Sequence, residues 1–199
     1  MIRWILFDQA RVQTAAVFSN KESYYINGKT IASKELILIF KLPEYHEYDI
    51  GKIAESELIK IYLEKFHPPL STEEFKLLFK EGIVPVEGMK EILEKLYPNY
   101  NLASLINEGK EWTDYKFEKS GFKRFFKHII VSGEIGLKKP QPEFFLAALK
   151  IINAVPKECL FIDDHLENCQ AAQKLGIRSI CFKNSEQLKE ELKKLEIKI

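Results

Sequence analysis

Five short, nearly continuous apolar runs constrain this chain more than any other feature: Ile2–Asp8, Tyr100–Ile106, His128–Ser132, Cys159–Asp163 and Arg178–Phe182. A strand that is apolar at consecutive rather than alternate positions is one covered on both faces. Helix-period segments lie between the runs. Val86–Leu96 puts Met89, Ile92, Leu93 and Leu96 on one stripe, and Pro142–Ile152 does the same with Phe144, Phe145, Ala148 and Ile151. His165–Leu175 is followed by Gly176, a good helix terminator. Strands alternating with helices imply right-handed crossovers, so the expected class is α/β, a parallel sheet sandwiched by helices.

One connection is far too long. A β-α-β unit takes about 30 residues, yet roughly 90 separate the first run from the second. Within the excess, Ser71-Thr72-Glu73-Glu74 reads as a capping box opening a helix through Phe79. Ile53–Phe66 reads as another helix, with Leu58, Ile59, Ile61 and Tyr62 apolar, while Tyr24, Tyr25, Phe40, Tyr45 and Tyr48 add aromatic bulk. Residues 14–83 are therefore expected to be a small helical insertion after the first strand, with residues 1–13 and 84–199 as the core. Ligands in open α/β sheets bind outside the carboxyl ends of the strands, which favours a lid over that edge. The tail from Glu186 to Lys198 is expected to form a solvated helix with Leu188, Leu192 and Leu195 turned inward.

Charge excludes several functions. The 199 residues carry 30 Lys+Arg against 29 Asp+Glu, a net charge of +1, so nothing global draws the chain to nucleic acid or an acidic membrane. No run approaches the ~18 apolar residues of a membrane span. Cys159, Cys169 and Cys181 lack metal or disulfide spacing, and the four histidines lack ligand spacing. A soluble cytoplasmic protein is expected.

The sharpest chemical feature is acid at the ends of buried runs. Phe7-Asp8 closes the first and Phe161-Ile162-Asp163-Asp164 the fourth. A carboxylate there is costly to desolvate unless it faces a cleft, a cation or hydrogen-bond donors, although Asp is also a common helix cap. Unit charges ~4 Å apart repel by ~4 kcal/mol at an effective dielectric of 20. If parallel topology gathers these ends, a divalent ion or a lysine must relieve that repulsion, and oxygen-only ligands suit Mg²⁺ better than Zn²⁺. Gly136-Leu137-Lys138-Lys139-Pro140-Gln141-Pro142 is a stiff turn able to aim one ammonium at the sheet edge.

This order, a first strand ending in Phe-Asp, then a helical insertion, a Lys-Pro turn and a strand ending in Asp-Asp, resembles the haloacid dehalogenase superfamily of phosphohydrolases. The resemblance spans the chain and is densest from Tyr100 to Phe182, where Ser132-Gly133-Glu134-Ile135-Gly136, Lys139-Pro140 and Phe161-Ile162-Asp163-Asp164 through Asn168 are typical. It implies a Rossmann-like core with a helical cap, nearest to the small sugar-phosphate phosphatases. It also implies Asp8 as the nucleophile forming an aspartyl-phosphate, and Lys139 as the cation neutralising Asp8 and the phosphoryl group. Mg²⁺ would be held by Asp8, the Ala10 carbonyl and Asp164, with Asp163 neighbouring or linked through water. Backbone N–H groups at Gln9, Ala10, Ile106 and Asn107 would cradle phosphate. The implied substrate is a small phosphorylated metabolite.

Two positions depart from the family. Ala10 stands where a second Asp acts as general acid/base, a role typically worth 10²–10⁴-fold. Ile106 stands where the family has Ser or Thr. Ser104 shares its strand face but lies about two steps, ~7 Å, further back, and a lost hydroxyl bond to a charged group costs ~1.5–3 kcal/mol. The loop after Asp8 carries Arg11 where glycine is common. A phosphatase is the leading expectation, with a catalytically degenerate binding or regulatory protein as the alternative. A dehalogenase fits less well because that subgroup lacks the Asp163-Asp164 pair. A receiver domain has a different order of its acids.

Overall fold

The first apolar run becomes the centre of the sheet. In the computed structural model, which describes residues 1–199, Trp4–Phe7 forms β1 and is buried throughout. The long connection then builds a hairpin, Ser23–Ile26 (β2) and Lys29–Ala32 (β3), followed by a short helix Ser33–Leu36 (α1) that continues as a 3₁₀ turn over Ile37–Lys41. Pro43–Asp49 (α2), Glu55–Phe66 (α3) and Thr72–Glu81 (α4) complete it. The chain returns through Met89–Leu96 (α5), Asn101–Ile106 (β4), Lys110–Ser120 (α6), His128–Val131 (β5), Ser132–Ile135 (α7) and Pro142–Ile151 (α8). Cys159–Asp163 (β6), Leu166–Lys174 (α9), Arg178–Cys181 (β7) and Ser185–Lys194 (α10) close it.

The five strands read from the sequence form one sheet in the order β5-β4-β1-β6-β7, with every pair parallel. Their near-continuous apolar character has the expected cause. Ile5, Phe7, Leu160 and Ile162 pack on one face against Ile92, Leu93, Leu188 and Leu192, while Leu6, Ala103 and Phe161 pack on the other against Phe144, Phe145 and Ala172. Each fully buried side chain of this kind is worth about 1.5–3 kcal/mol. The tail helix turns Leu188 and Leu192 into the core, with Leu195 packed partly against it. No helix is long and apolar enough to cross a membrane.

The inserted segment has its own apolar cluster, which includes Phe18, Tyr24, Leu58, Tyr62, Phe75 and Phe79. It is not purely helical: the β2–β3 hairpin pairs Tyr24 with Ile31. Four-residue strands with one buried position leave too little alternation to register as strands in the sequence. The capping box forms as read, Ser71 Oγ accepting from Glu74 N–H while Glu74 accepts from Ser71 N–H. Two adjacent connections join insertion and sheet, with Ala15 N–H donating to Val84 O at 2.8 Å and Val86 N–H to Gln13 O at 3.0 Å.

Candidate functional site

The sheet order makes β1 the reversal point: the chain moves from β1 to β4 and β5 on one side, then crosses to β6 and β7 on the other. Crevices in open α/β sheets lie at this point, beyond the carboxyl ends. Register decides which side chains meet there. Phe7 lies opposite Ile162 and Ser104, so the next residue, Asp8, stands level with Asp163 and Leu105. Lys139 reaches all three from the loop between α7 and α8. Its ammonium donates to Asp8 Oδ1 at 2.7 Å, Asp163 Oδ2 at 2.8 Å and Leu105 O at 2.7 Å.

Lys139 is thus a buried cation with all three hydrogens placed, and only 2% of the residue is exposed. Burial pulls its pKa down, but Asp8 and Asp163 outweigh burial and hold it raised. Asp8 is pushed up to about 6, chiefly by burial and further by Asp163, against the pull of Lys139. Asp163 is fully bonded: besides Lys139 it accepts from His165 N–H at 2.8 Å and from Asn168 Nδ2 at 3.0 and 3.1 Å.

Asp164 differs. Its Oδ2 lies 3.8 Å from Arg11 and 3.6 Å from His165, while Oδ1 is buried without a hydrogen-bond partner. Burial raises its pKa. One oxygen from each of Asp8, Asp163 and Asp164 lies within 4.8 Å of the others. Three carboxylates against one close ammonium, with one orphaned oxygen and only hard oxygen donors, fit a divalent cation such as Mg²⁺.

The remaining residues singled out in the sequence fall into place unevenly. Ala10 lines the cleft with only a methyl group. Gln9 turns its side chain away, Nε2 lying 3.4 Å from Thr113 O, so only its backbone is available to a ligand. Arg11 takes φ 60°, a conformation that favours glycine, and stays exposed. Ile106 is buried and lines the cleft beside Asn107. Asn107 clasps the Lys139 backbone, donating to its carbonyl and accepting from its N–H, both at 2.8 Å. The Ser104 hydroxyl donates to Phe7 O at 3.2 Å and accepts from Gln13 Nε2 at 2.7 Å, while Gln13 also donates to Asp8 O at 2.9 Å. Ser104 is committed behind β1 and does not reach the cleft.

Gln13 was not flagged by its sequence context, and neither was a buried charged group between insertion and core. Lys116 donates to Glu108 Oε2, and Tyr45 donates to Glu108 Oε1 at 3.0 Å. Asp49 lies 3.6 Å from Lys138, and its pKa is pushed up to about 7, mainly by burial and then by Glu108. Charged residues on helices and loops ordinarily read as solvated surface, so only the packing reveals them. Together the insertion and the sheet edge enclose a cleft of about 900 Å³ that reaches from Asp8 and Lys139 to Phe40 and Tyr45.

Comparisons with known proteins bear on the family and the fold. The chain is 26% identical over 153 residues to flavin mononucleotide hydrolase 1 of Arabidopsis thaliana, an alignment covering 77% of this chain and 62% of that protein. It is 30% identical over 102 residues to the glyceraldehyde 3-phosphate phosphatase of Pyrococcus furiosus, covering 49% of this chain and 42% of that one. The chain therefore spans less than two thirds of either relative. A HAD family enzyme of Bacteroides thetaiotaomicron, solved as a magnesium complex, superposes with a TM-score of 0.77 at 22% identity, covering 96% of this chain and 98% of that one. The family described as haloacid dehalogenase-like hydrolase matches residues 18–182, a span that includes Lys139, Asp163 and Asp164 and begins after Asp8. With most of its length matched, the chain belongs to the haloacid dehalogenase-like hydrolase family.

Proposed function

We propose that this chain is a Mg²⁺-dependent phosphatase of a phosphorylated metabolite, acting through an aspartyl-phosphate on Asp8. The observation that carries this reading is the buried Lys139 ammonium bridging Asp8 and Asp163 beside the orphaned oxygen of Asp164. Family membership supports a hydrolase, and the two named relatives act on phosphate monoesters of very different size. The magnesium bound by the structural neighbour supports the choice of ion. Residues 14–83 would serve as the cap and residues 1–13 and 84–199 as the catalytic core. Three free cysteines fit a reducing cytoplasm.

Asp8 and Asp164 would hold the ion together with the Ala10 carbonyl, with Asp163 behind them. When bound, the ion supplies charge neutralisation and polarises a phosphoryl oxygen. Lys139 holds Asp8 ionised and turned toward the cleft. An Asp8 carboxylate oxygen attacks phosphorus as the ester P–O bond breaks, and the leaving alcohol takes its proton from solvent because Ala10 carries none. Water then attacks phosphorus, releasing phosphate and restoring the carboxylate. Asn107 keeps the lysine turn in register. Catalysis of this kind rests on positioning and charge.

A second reading has its own support. Ala10 and Ile106 lack the proton carrier and the hydroxyl the family uses, which favours a phosphate-binding protein without turnover. Hydrolysis of a generic aryl phosphate with and without Mg²⁺, comparing wild type with Asp8→Asn, separates the two. The phosphatase predicts Mg²⁺-dependent release that Asp8→Asn abolishes. Activity surviving that change would sink the covalent route, and its absence across a broad panel of phosphate esters would favour the binding protein.

A further inference from the structure

One short segment of the insertion supplies four of the residues that line the cleft with Asp8. Lys34, Ile37 and Phe40 recur every three residues across α1 and the 3₁₀ turn, and they line the cleft with the adjoining Lys41. Side chains three apart eclipse in a 3₁₀ turn, so Ile37 and Phe40 share one face, with Lys34 one helical turn before Ile37 and Lys41 reaching the same cleft from the next position: an apolar centre flanked by two ammonium groups. Phe40 is half-buried, its ring fixed by Tyr45 at 5.3 Å and Trp112 at 5.7 Å, so its open surface meets the cleft in a set orientation. Lys34 and Lys41 are exposed and have no ion-pair partner. Within the same cleft Lys116 and Lys138 are occupied by Glu108 and Asp49.

Resting on the phosphatase reading, we infer that the segment 34–41 selects heteroaromatic phosphate monoesters of nucleotide size. The ring would lie on Phe40 and Ile37, and its electronegative edge would meet Lys34 and Lys41. A volume of about 900 Å³ is near the upper end of the ~300–1,000 Å³ that encloses a drug-sized ligand. A three-carbon ester with its phosphoryl group at Asp8 offers no ring to this segment. Stacking on a fixed ring is worth a several-fold gain in affinity, up to about tenfold.

The test compares kcat/KM for flavin mononucleotide and adenosine 5′-monophosphate with that for glycerol 3-phosphate, in wild type, Phe40→Ala and the double variant Lys34→Ala/Lys41→Ala. The ring-bearing esters should be favoured at least tenfold, and both variants should erase most of that ratio, chiefly through KM. The lysine variant changes only exposed side chains, so it keeps the test valid if Phe40→Ala folds poorly. Equal use of all esters, or a ratio unchanged in the lysine variant, overturns the inference while Asp8-dependent hydrolysis leaves the phosphatase reading standing. If no ester is hydrolysed that reading fails, and calorimetric titration of flavin mononucleotide into the Asp8→Asn protein decides the inference separately. Binding weakened by the lysine changes supports it, and no binding overturns it.

Discussion

Lys139 has no spare hydrogen-bonding capacity: its three ammonium hydrogens go to Asp8, Asp163 and the Leu105 carbonyl. Removing it would leave two buried carboxylates facing each other, and breaking a buried pair from one side costs about 3–5 kcal/mol. Lys139→Met should lose that much stability in urea denaturation without metal, and should lose turnover as well. Ile106 is the converse case, a position where an added group should help. Ile106→Thr keeps the β-branched shape and returns a hydroxyl to the cleft. It should raise kcat by roughly ten- to a hundredfold, from ~1.5–3 kcal/mol of restored bonding, in steady-state assays on an aryl phosphate. Asp8, Asp163 and Asp164 were legible because charge at the end of an apolar run is costly and therefore conspicuous, and Lys139 because a stiff Lys-Pro turn precedes the strand that carries two of them. Gln13 and Glu108 were not, because a polar residue in a loop is unremarkable until a neighbour buries it.

At the scale of elements, the inserted segment is seated on the core rather than merely tethered to it. Trp112 from α6 is fully buried in the insertion's own cluster, stacked on Phe79 at 4.2 Å and donating to Glu55 at 3.0 Å. Ser132 Oγ donates to Asp49 O, joining α7 to α2. Gly51 is the tightest point: it has φ 72°, and a Cβ there would lie 2.1 Å from Gly133 O. Gly51→Ala should therefore cost about 2–4 kcal/mol from strain and overlap together, measured by chemical denaturation. Ser71→Ala removes only a helix cap and should cost about 1 kcal/mol, with kcat unaltered. The capping box and the amphipathic stripes were readable because their signals are local. The seating was not, since Trp112 and Phe79 are 33 residues apart in the chain and no periodicity links them.

For the whole molecule, the gathered carboxylates make stability depend on pH and metal. Asp8 titrates at about 6 when folded, against 3.8 ordinarily. The folded chain therefore binds more protons between those values. Its contribution to stability is full below the lower value and is lost as pH rises through the upper one. Metal-free protein should thus lose Tm from about pH 4 to about pH 7 at this group, and Mg²⁺ should restore more of it at the alkaline end. Asp164→Asn should blunt that Mg²⁺-dependent rise, a readout by thermal denaturation that needs no turnover. What the sequence by itself determined is the α/β class, and it marked out the long connection after the first strand and the acids and lysine that meet at the sheet edge, because burial on both faces, the spacing of the strands and charge at strand ends leave marks in local composition. Which acids share one lysine, which asparagine clasps that lysine's backbone and how the insertion walls the cleft were decided by tertiary structure alone. Those contacts depend on strand register and on side chains brought together from distant parts of the chain, and neighbouring residues do not encode such distances.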